Sequence, residues 1–196
     1  MLNNIGETTL FVSFLIGIAG IVSFLLAFRK KDIRLIMVAE RSVSAIFFLL
    51  TVAVLTLIIL LASKDYSNAY VAKNVSNDLS FIYSIASLWA GQEGSLLLWA
   101  WILALYNFVV RSSKSFRTLI YCSEGVSQFI LVFFIFLIVF IENPFETLDV
   151  VPLNGRGLNP ILQNFYMAIH PLTLYIGYIA LTIPFAFGLG SILSKD

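Results

Sequence analysis

Five long apolar stretches, nearly free of charge, constrain this chain more than any other feature. Leu10–Phe28 and Ala45–Ser63 contain no charged residue, Gly91–Val110 carries only Glu93 near its start, and Leu119–Ile141 only Glu124 near one end. Pro171–Leu193 is uncharged but holds Pro184. A membrane-spanning helix needs about 20 mostly apolar residues. One such stretch alone could be a buried core helix, but five within 196 residues leave nothing to cover them. The chain is 60% hydrophobic and 12% charged, where a soluble domain has roughly 45–50% and about 25%. The expected fold is all-α: a polytopic membrane helical bundle of about five transmembrane helices. Residues 1–196 are read as a single membrane domain surrounded by lipid.

Several functional classes fall away at once. A net charge of +1 offers no basic field for nucleic acid. The single cysteine, Cys122, excludes an internal disulfide and any multi-cysteine metal site, and the single histidine, His170, excludes a histidine cluster within the chain. A removable signal peptide is not expected, because the first apolar stretch is long and lacks a basic leader. Orientation follows from the basic residues, which concentrate in cytoplasmic loops. Arg29, Lys30, Lys31, Arg34, Arg41, Arg111, Lys114, Arg117 and Lys195 fall on one side, against Lys64, Lys73 and Arg156 on the other. The N-terminus and the second and fourth connections are therefore expected to face outward, which in a bacterium is the periplasmic side of the inner membrane.

Two of the outward segments are unlike plain connectors. The first is Leu88-Trp89-Ala90-Gly91-Gln92-Glu93-Gly94-Ser95-Leu96-Leu97-Leu98-Trp99. Apolar residues precede it from Phe81 onward, so this connection is expected to re-enter the interface before the third span begins. Gly91 and Gly94 permit close backbone approach or a sharp turn. Glu93 falls in the first helical turn, where the helix dipole favours an anion. The plain reading is a helix start with a dipole-matched acid. Trp89 suits an interfacial belt, whereas Trp99 and Trp101 lie roughly 12–15 Å below the helix start at 1.5 Å per residue. At that depth an indole N–H needs a partner, so both are expected to face protein or a ligand, with packing the plainer use.

The second segment runs from Glu142 to Ile169. Pro144 ends the preceding helix, and Asn154-Gly155 and Asn159-Pro160 are turn signals. Yet Leu148, Val150, Val151, Leu153, Leu158, Ile161, Leu162, Phe165, Tyr166 and Met167 make it too apolar for a solvated linker, so it is expected to pack on the outer surface or on a partner. It delivers His170, followed by Pro171, a residue suited to the first helical position. His170 is thus expected at the cap of the last helix, at the outer interface. Imidazole is the commonest metal ligand, and a capping or interfacial histidine is the plainer alternative. In the last span Gly177, Ala180, Pro184 and Gly188 share one face, a small-residue row of the kind that lets membrane helices pack closely. The helix packed there could belong to another chain. Cys122 is expected to be a small buried or interfacial thiol.

The residues from Trp89 to Trp99 resemble the W-G/A-G-x-E-G-S-L-L-L-W signature of the CcmF/NrfE family, the haem-lyase subunits of bacterial system I cytochrome c maturation. The fourth connection is similar in order as well: Asn143-Pro144-Phe145, then Gly155-Arg156-Gly157-Leu158-Asn159-Pro160-Ile161-Leu162-Gln163, then His170-Pro171, Leu174-Tyr175 and Gly177-Tyr178. The resemblance spans essentially the whole chain and matches only the N-terminal part of the family.

The resemblance implies a helical membrane bundle that receives haem from a periplasmic haem chaperone and helps attach its vinyl groups to apocytochrome c. A histidine at the family's His-Pro step is an axial ligand of the haem iron, which maps onto His170. Trp89, Gly91, Glu93, Gly94 and Trp99 would help form the outer face near that haem. The family's tryptophan-rich haem-cradling segment, a second outer histidine and the histidines of an intramembrane haem have no counterpart here. The chain is therefore expected to be a truncated or split member, part of a haem lyase that works with a partner carrying the remaining helices. Two other readings compete: a haem-independent scaffold that docks other maturation subunits, and a transporter or channel subunit. The second is disfavoured because no acid lies centrally in a span.

Overall fold

The structure is a computed structural model that describes residues 1–30, 32–111 and 117–194. Of the basic residues counted above, Lys31, Lys114 and Lys195 lie outside the described residues, as does the side chain of Arg117. The described residues form the helices α1 (Leu2–Lys30), α2 (Ile33–Ser63), α3 (Ala69–Asn74), α4 (Phe81–Ala86), α5 (Gln92–Arg111), α6 (Arg117–Phe140), α7 (Phe165–Ala180) and α8 (Thr182–Ser194). Short 3-10 turns at Ser87–Trp89 and Pro160–Leu162 precede α5 and α7. Five helical segments are long and apolar enough to cross a membrane: α1, α2, α5, α6 and the pair α7–α8. The expected all-α membrane bundle is what the chain forms.

Local chemistry sets the ends. The Asp32 carboxylate accepts from the Arg34 N–H at 2.8 Å and starts α2. Helix α2 stops at Lys64, which turns left-handed (φ 53°) and returns its N–H to the Leu60 and Leu61 carbonyls. The Lys64 ammonium then donates to the Asn77 and Leu79 carbonyls, both at 2.8 Å, pulling the following connection over the helix end. Because successive spans run in opposite directions, residues 64–91 and 141–164 lie together at one end, here the loop end. Arg29, Lys30, Arg34 and Arg111 lie toward the other, the basic end.

Helices α1, α2, α5 and α6 build the core. Leu50, Leu57, Leu97, Leu131, Ile135 and Ile138 are completely buried between them. Small residues bring the backbones close. A Cβ at Gly20 would lie 2.2 Å from Ser42 Oγ, and one at Gly17 would lie 2.5 Å from Val132 Cγ2. Several polar groups within the spans find partners inside the bundle, as lipid favours, whereas Asn107 Nδ2, Glu124 Oε1 and Gln128 Oε1 are buried and meet none among the described residues. The Trp101 indole N–H donates to Thr51 Oγ1 at 2.9 Å, so this tryptophan meets its need for a partner by packing on α2.

The fifth span differs from expectation at both ends of its first half. Helix α7 begins at Phe165, not at Pro171, because the Asn164 side chain caps it by accepting from the Tyr166 N–H at 3.0 Å. His170 is therefore in the second turn of α7 rather than at its cap, and Pro171 is inside the helix. The span also breaks at Leu181, whose N–H makes a tightened bond to the Tyr178 carbonyl at 3.2 Å. Pro184, two residues into α8, has no N–H to rejoin the two halves. Only 17% of the α7–α8 span is buried, against 39–44% for the other four.

Candidate functional site

Tyr70 organises the loop end. It is 3% exposed, and its phenol donates to the Ser87 carbonyl at 2.6 Å while accepting from the Gly91 N–H at 3.1 Å. Burial pushes its hydroxyl well above the usual phenol range, so it serves as a neutral hydrogen-bonding group. Gly94 lies directly over it: a Cβ there would come within 2.1 Å of the Leu88 carbonyl oxygen and 2.5 Å of the Tyr70 hydroxyl. A Cβ at Gly91 would lie 2.8 Å from the Tyr70 ring. The two glycines thus allow α5 to start against α3 and the preceding turn. Glu93 is in the first turn of α5, as expected, and pairs with Lys73 of α3 at 3.0 Å. Its Oε2 is buried and meets no hydrogen-bond partner among the described residues.

The fourth connection folds onto this platform. The Arg156 N–H donates to the Ala72 carbonyl at 2.8 Å, and a Cβ at Gly155 would lie 2.0 Å from the Val75 carbonyl oxygen. Asn154 Oδ1 accepts from the Asn77 N–H at 2.8 Å. The buried Asn68 amide donates to Asn3 Oδ1 and to the Pro144 carbonyl, both at 2.9 Å, joining the start of α1 to the end of α6. Phe145 and Leu158 are buried, but Val150, Leu153 and Ile161 are largely exposed. The apolar connection is packed down at some points and open at others.

The signature reaches α7 through two hydrogen bonds, and the rest of α5 adds a third. The Trp89 indole N–H donates to the Ala168 carbonyl at 2.8 Å. The Tyr175 hydroxyl donates to Ser95 Oγ at 3.2 Å, and Ser95 Oγ in turn donates to the Trp89 carbonyl at 3.2 Å. Further along, the Tyr106 hydroxyl donates to the Ile176 carbonyl at 2.9 Å. Trp99 lies between Phe134 of α6 and Tyr175, edge-on to the latter with ring centroids 5.6 Å apart. It faces protein, in the manner its depth required.

His170 is exposed, and so are Tyr166, Leu174 and Tyr178, the residues one turn before, one turn after and two turns after it. Ala168 and Ile179 are buried, with Leu172 and Tyr175 half-buried between them. These four form the inward stripe of α7, whereas His170, Leu174 and Gly177 form an outward one. At 100° per residue, His170 is roughly 200° round the helix from Ala168 and roughly 140° from Tyr175. The structure thus brings Trp89, Gly91, Glu93, Gly94 and Trp99 together around Tyr70 and the inner side of α7, and sets His170 on the outer side. Among the described residues no group of three His, Cys, Asp or Glu could hold a metal ion.

Two features escaped the sequence reading. Tyr70 carries no motif, and only its long-range contacts reveal it. A polar row also sits inside the core toward the basic end. Glu124 is 4% exposed and Ser127 and Gln128 share its face of α6, with Ser127 Oγ donating to Asn107 Oδ1 at 2.5 Å. The three- and four-residue spacing of these side chains was the available signal.

Against known proteins, a model described as cytochrome C assembly protein matches residues 89–195. The cytochrome c-type biogenesis protein CcmF of Haemophilus influenzae is 30% identical over 197 residues, covering 99% of this chain and 30% of that protein. CcmF of Escherichia coli K12 is 32% identical, covering 91% of this chain and 28% of that protein. A solved structure described as cytochrome c heme lyase CcmF superposes with a TM-score of 0.88 at 26% identity, covering 100% of this chain and 31% of that one. The chain therefore spans about 30% of the length of the curated relative from Haemophilus. With a family match over more than half its length, and the fold of a solved relative along all of it, this multi-pass chain belongs to the cytochrome C assembly protein family.

Proposed function

We propose that the chain is a haem-handling component of cytochrome c biogenesis, which presents His170 to the haem iron and holds haem for attachment to apocytochrome c. The observation that carries this reading is the placement of His170. It stands exposed on the outer side of α7, flanked at one-turn steps by Tyr166, Leu174 and Tyr178, side chains able to pack against a flat apolar macrocycle. The fit is partial in a specific way: His170 is the single histidine of the sequence, so it supplies one axial position only. Haem is the substrate here, and the thioether chemistry resides in its vinyl groups and the acceptor thiols. The chain's own part is to orient the iron and shield one face of the ring.

On this reading the loop end faces the periplasm across the inner membrane, supported by the basic residues at the opposite end. A haem chaperone delivers the ligand, and a partner with the helices typical of longer relatives supplies the second axial group and the remaining walls. The test is the absorbance spectrum of the protein extracted from membranes with its co-purifying partners, wild type beside His170→Ala. A haem band that is lost or shifted in the variant is the expected result. Full, unshifted haem occupancy in His170→Ala would remove the ligand assignment. No haem in either sample, with partner helices present, would favour a scaffold role.

A further inference from the structure

The turn of α7 that carries His170 is weak on its own account. Pro171 has no N–H, so the Met167 carbonyl lacks its usual partner one turn on. A helix weakened at that point can bend or rotate, and a rotation would re-aim the imidazole. The structure holds α7 on both sides of His170, at Ala168 and Tyr175 of the inward stripe. Before it, the Trp89 indole N–H is bonded to the Ala168 carbonyl at 2.8 Å. After it, the Tyr175 hydroxyl is bonded to Ser95 Oγ, which is itself bonded to the Trp89 carbonyl, each at 3.2 Å. Trp89 is thus attached to both ends of the segment Ala168–Tyr175, once through its side chain and once through its main chain. Its own position is set by the packing of the 3-10 turn on Tyr70 and Gly94.

We infer that Trp89 and Ser95 are positioning residues for His170: they clamp α7 from behind, so that its outer side presents the imidazole at one rotation and one depth. This rests on the reading of His170 as a haem ligand. It also gives the signature a definite task, because Trp89 acts on the ligand-bearing helix through its inner side and has no need to touch the ligand. The groups are chosen for it chemically. An indole has a single donor on a rigid plane, and it reaches a carbonyl on a buried helix face. A serine hydroxyl both donates and accepts, so it relays between the turn and Tyr175.

The test is a haemin titration of the membrane-extracted protein with its co-purifying partners, comparing wild type, Trp89→Phe, Ser95→Ala and His170→Ala. Trp89→Phe keeps an aromatic ring and removes the donor. Loss of one such bond is expected to weaken haemin binding about tenfold and to convert a single iron-ligand band into a mixture, with the thermal midpoint of the protein unchanged. Free imidazole added to Trp89→Phe should restore the wild-type band, since it replaces a misplaced ligand. Ser95→Ala should shift the band in the same direction by less. Wild-type spectra in Trp89→Phe and Ser95→Ala, with His170→Ala altered, would overturn the clamp and leave the ligand assignment standing. An unaltered His170→Ala would remove both. A spectral change in Trp89→Phe that merely tracks a lower thermal midpoint, with Ser95→Ala silent, would make the contact one of folding and overturn the inference.

Discussion

Four spans of this protein and the fifth are built on different principles. Helices α1, α2, α5 and α6 have 39–44% of their spans buried and bring their backbones together at Gly17 and Gly20. The α7–α8 pair has 17% buried. It is pinned at two places: to α5 and the 3-10 turn before it by the hydrogen bonds at Ala168, Tyr175 and Ile176, and to α6 where a Cβ at Gly190 would lie 2.3 Å from Ser123 Oγ. Between the pins its outward side is open, and nothing lies within 4 Å of a Cβ placed at Gly177 or Gly188. A helix that is fully packed is fixed by its neighbours all along its length. One that is pinned keeps a free face while its rotation is still specified, which suits a helix that must offer a side chain outward.

The sharpest way to break that contrast is to compare glycines from the two regions. Gly94→Ala puts a methyl group against the Leu88 backbone carbonyl and the Tyr70 hydroxyl, neither of which can move aside cheaply. Overpacking of this kind should destabilise the protein by about 3 kcal/mol. The buried thiol of Cys122, the single cysteine of the sequence, supplies the readout: maleimide labelling on heating in detergent should begin at a markedly lower temperature. Asn68→Ala should come next. It removes the donor to Asn3 and to the Pro144 carbonyl inside a site that is 0% exposed, at a cost of about 2 kcal/mol in the same assay. Gly177→Ala should have the smallest effect and the opposite sign, because helix propensity favours alanine by about 1 kcal/mol and no neighbour resists it. If Gly177→Ala lowered the labelling temperature as far as Gly94→Ala, the outward side of α7 would be packed within this chain and the contrast would fail.

The fold was readable because lipid imposes a single strong rule: a span must be long, apolar and helical. That rule places all five spans but says little about their ends. Helix α1 begins at Leu2, ahead of the apolar stretch, since Asn3, Glu7, Thr8 and Thr9 continue the helix beyond it. The start of α7 differs from the expected one because two legitimate signals compete. Pro171 suits a first turn, but Asn164 caps a longer helix, and the proline is tolerated inside it. At the site, the signature glycines suggested close approach, and the structure shows that approach. Its object, Tyr70, lies more than 20 residues away in sequence without a local pattern. The three hydrogen bonds that tie the signature and the rest of α5 to α7 join residues 70–80 positions apart, a separation at which periodicity carries no information.

The joint at Asn68 has a consequence for how the protein is made. Its amide sits between the third residue of the chain and Pro144, at the far end of the fourth span. Synthesis proceeds from the N-terminus, so α1 and α2 leave the insertion machinery with this amide facing no protein partner from α6. Some 76 further residues must follow before the Pro144 carbonyl arrives. Until then the Asn68 side chain can cap α3 through the Val71 N–H, but its amide donor can reach only Asn3 or water. The loop end therefore closes late, as a single event that follows delivery of the fourth helix. Ribosome-bound chains arrested before residue 144 should leave Asn68 open to a water-borne probe, while those arrested well beyond it should protect the same position.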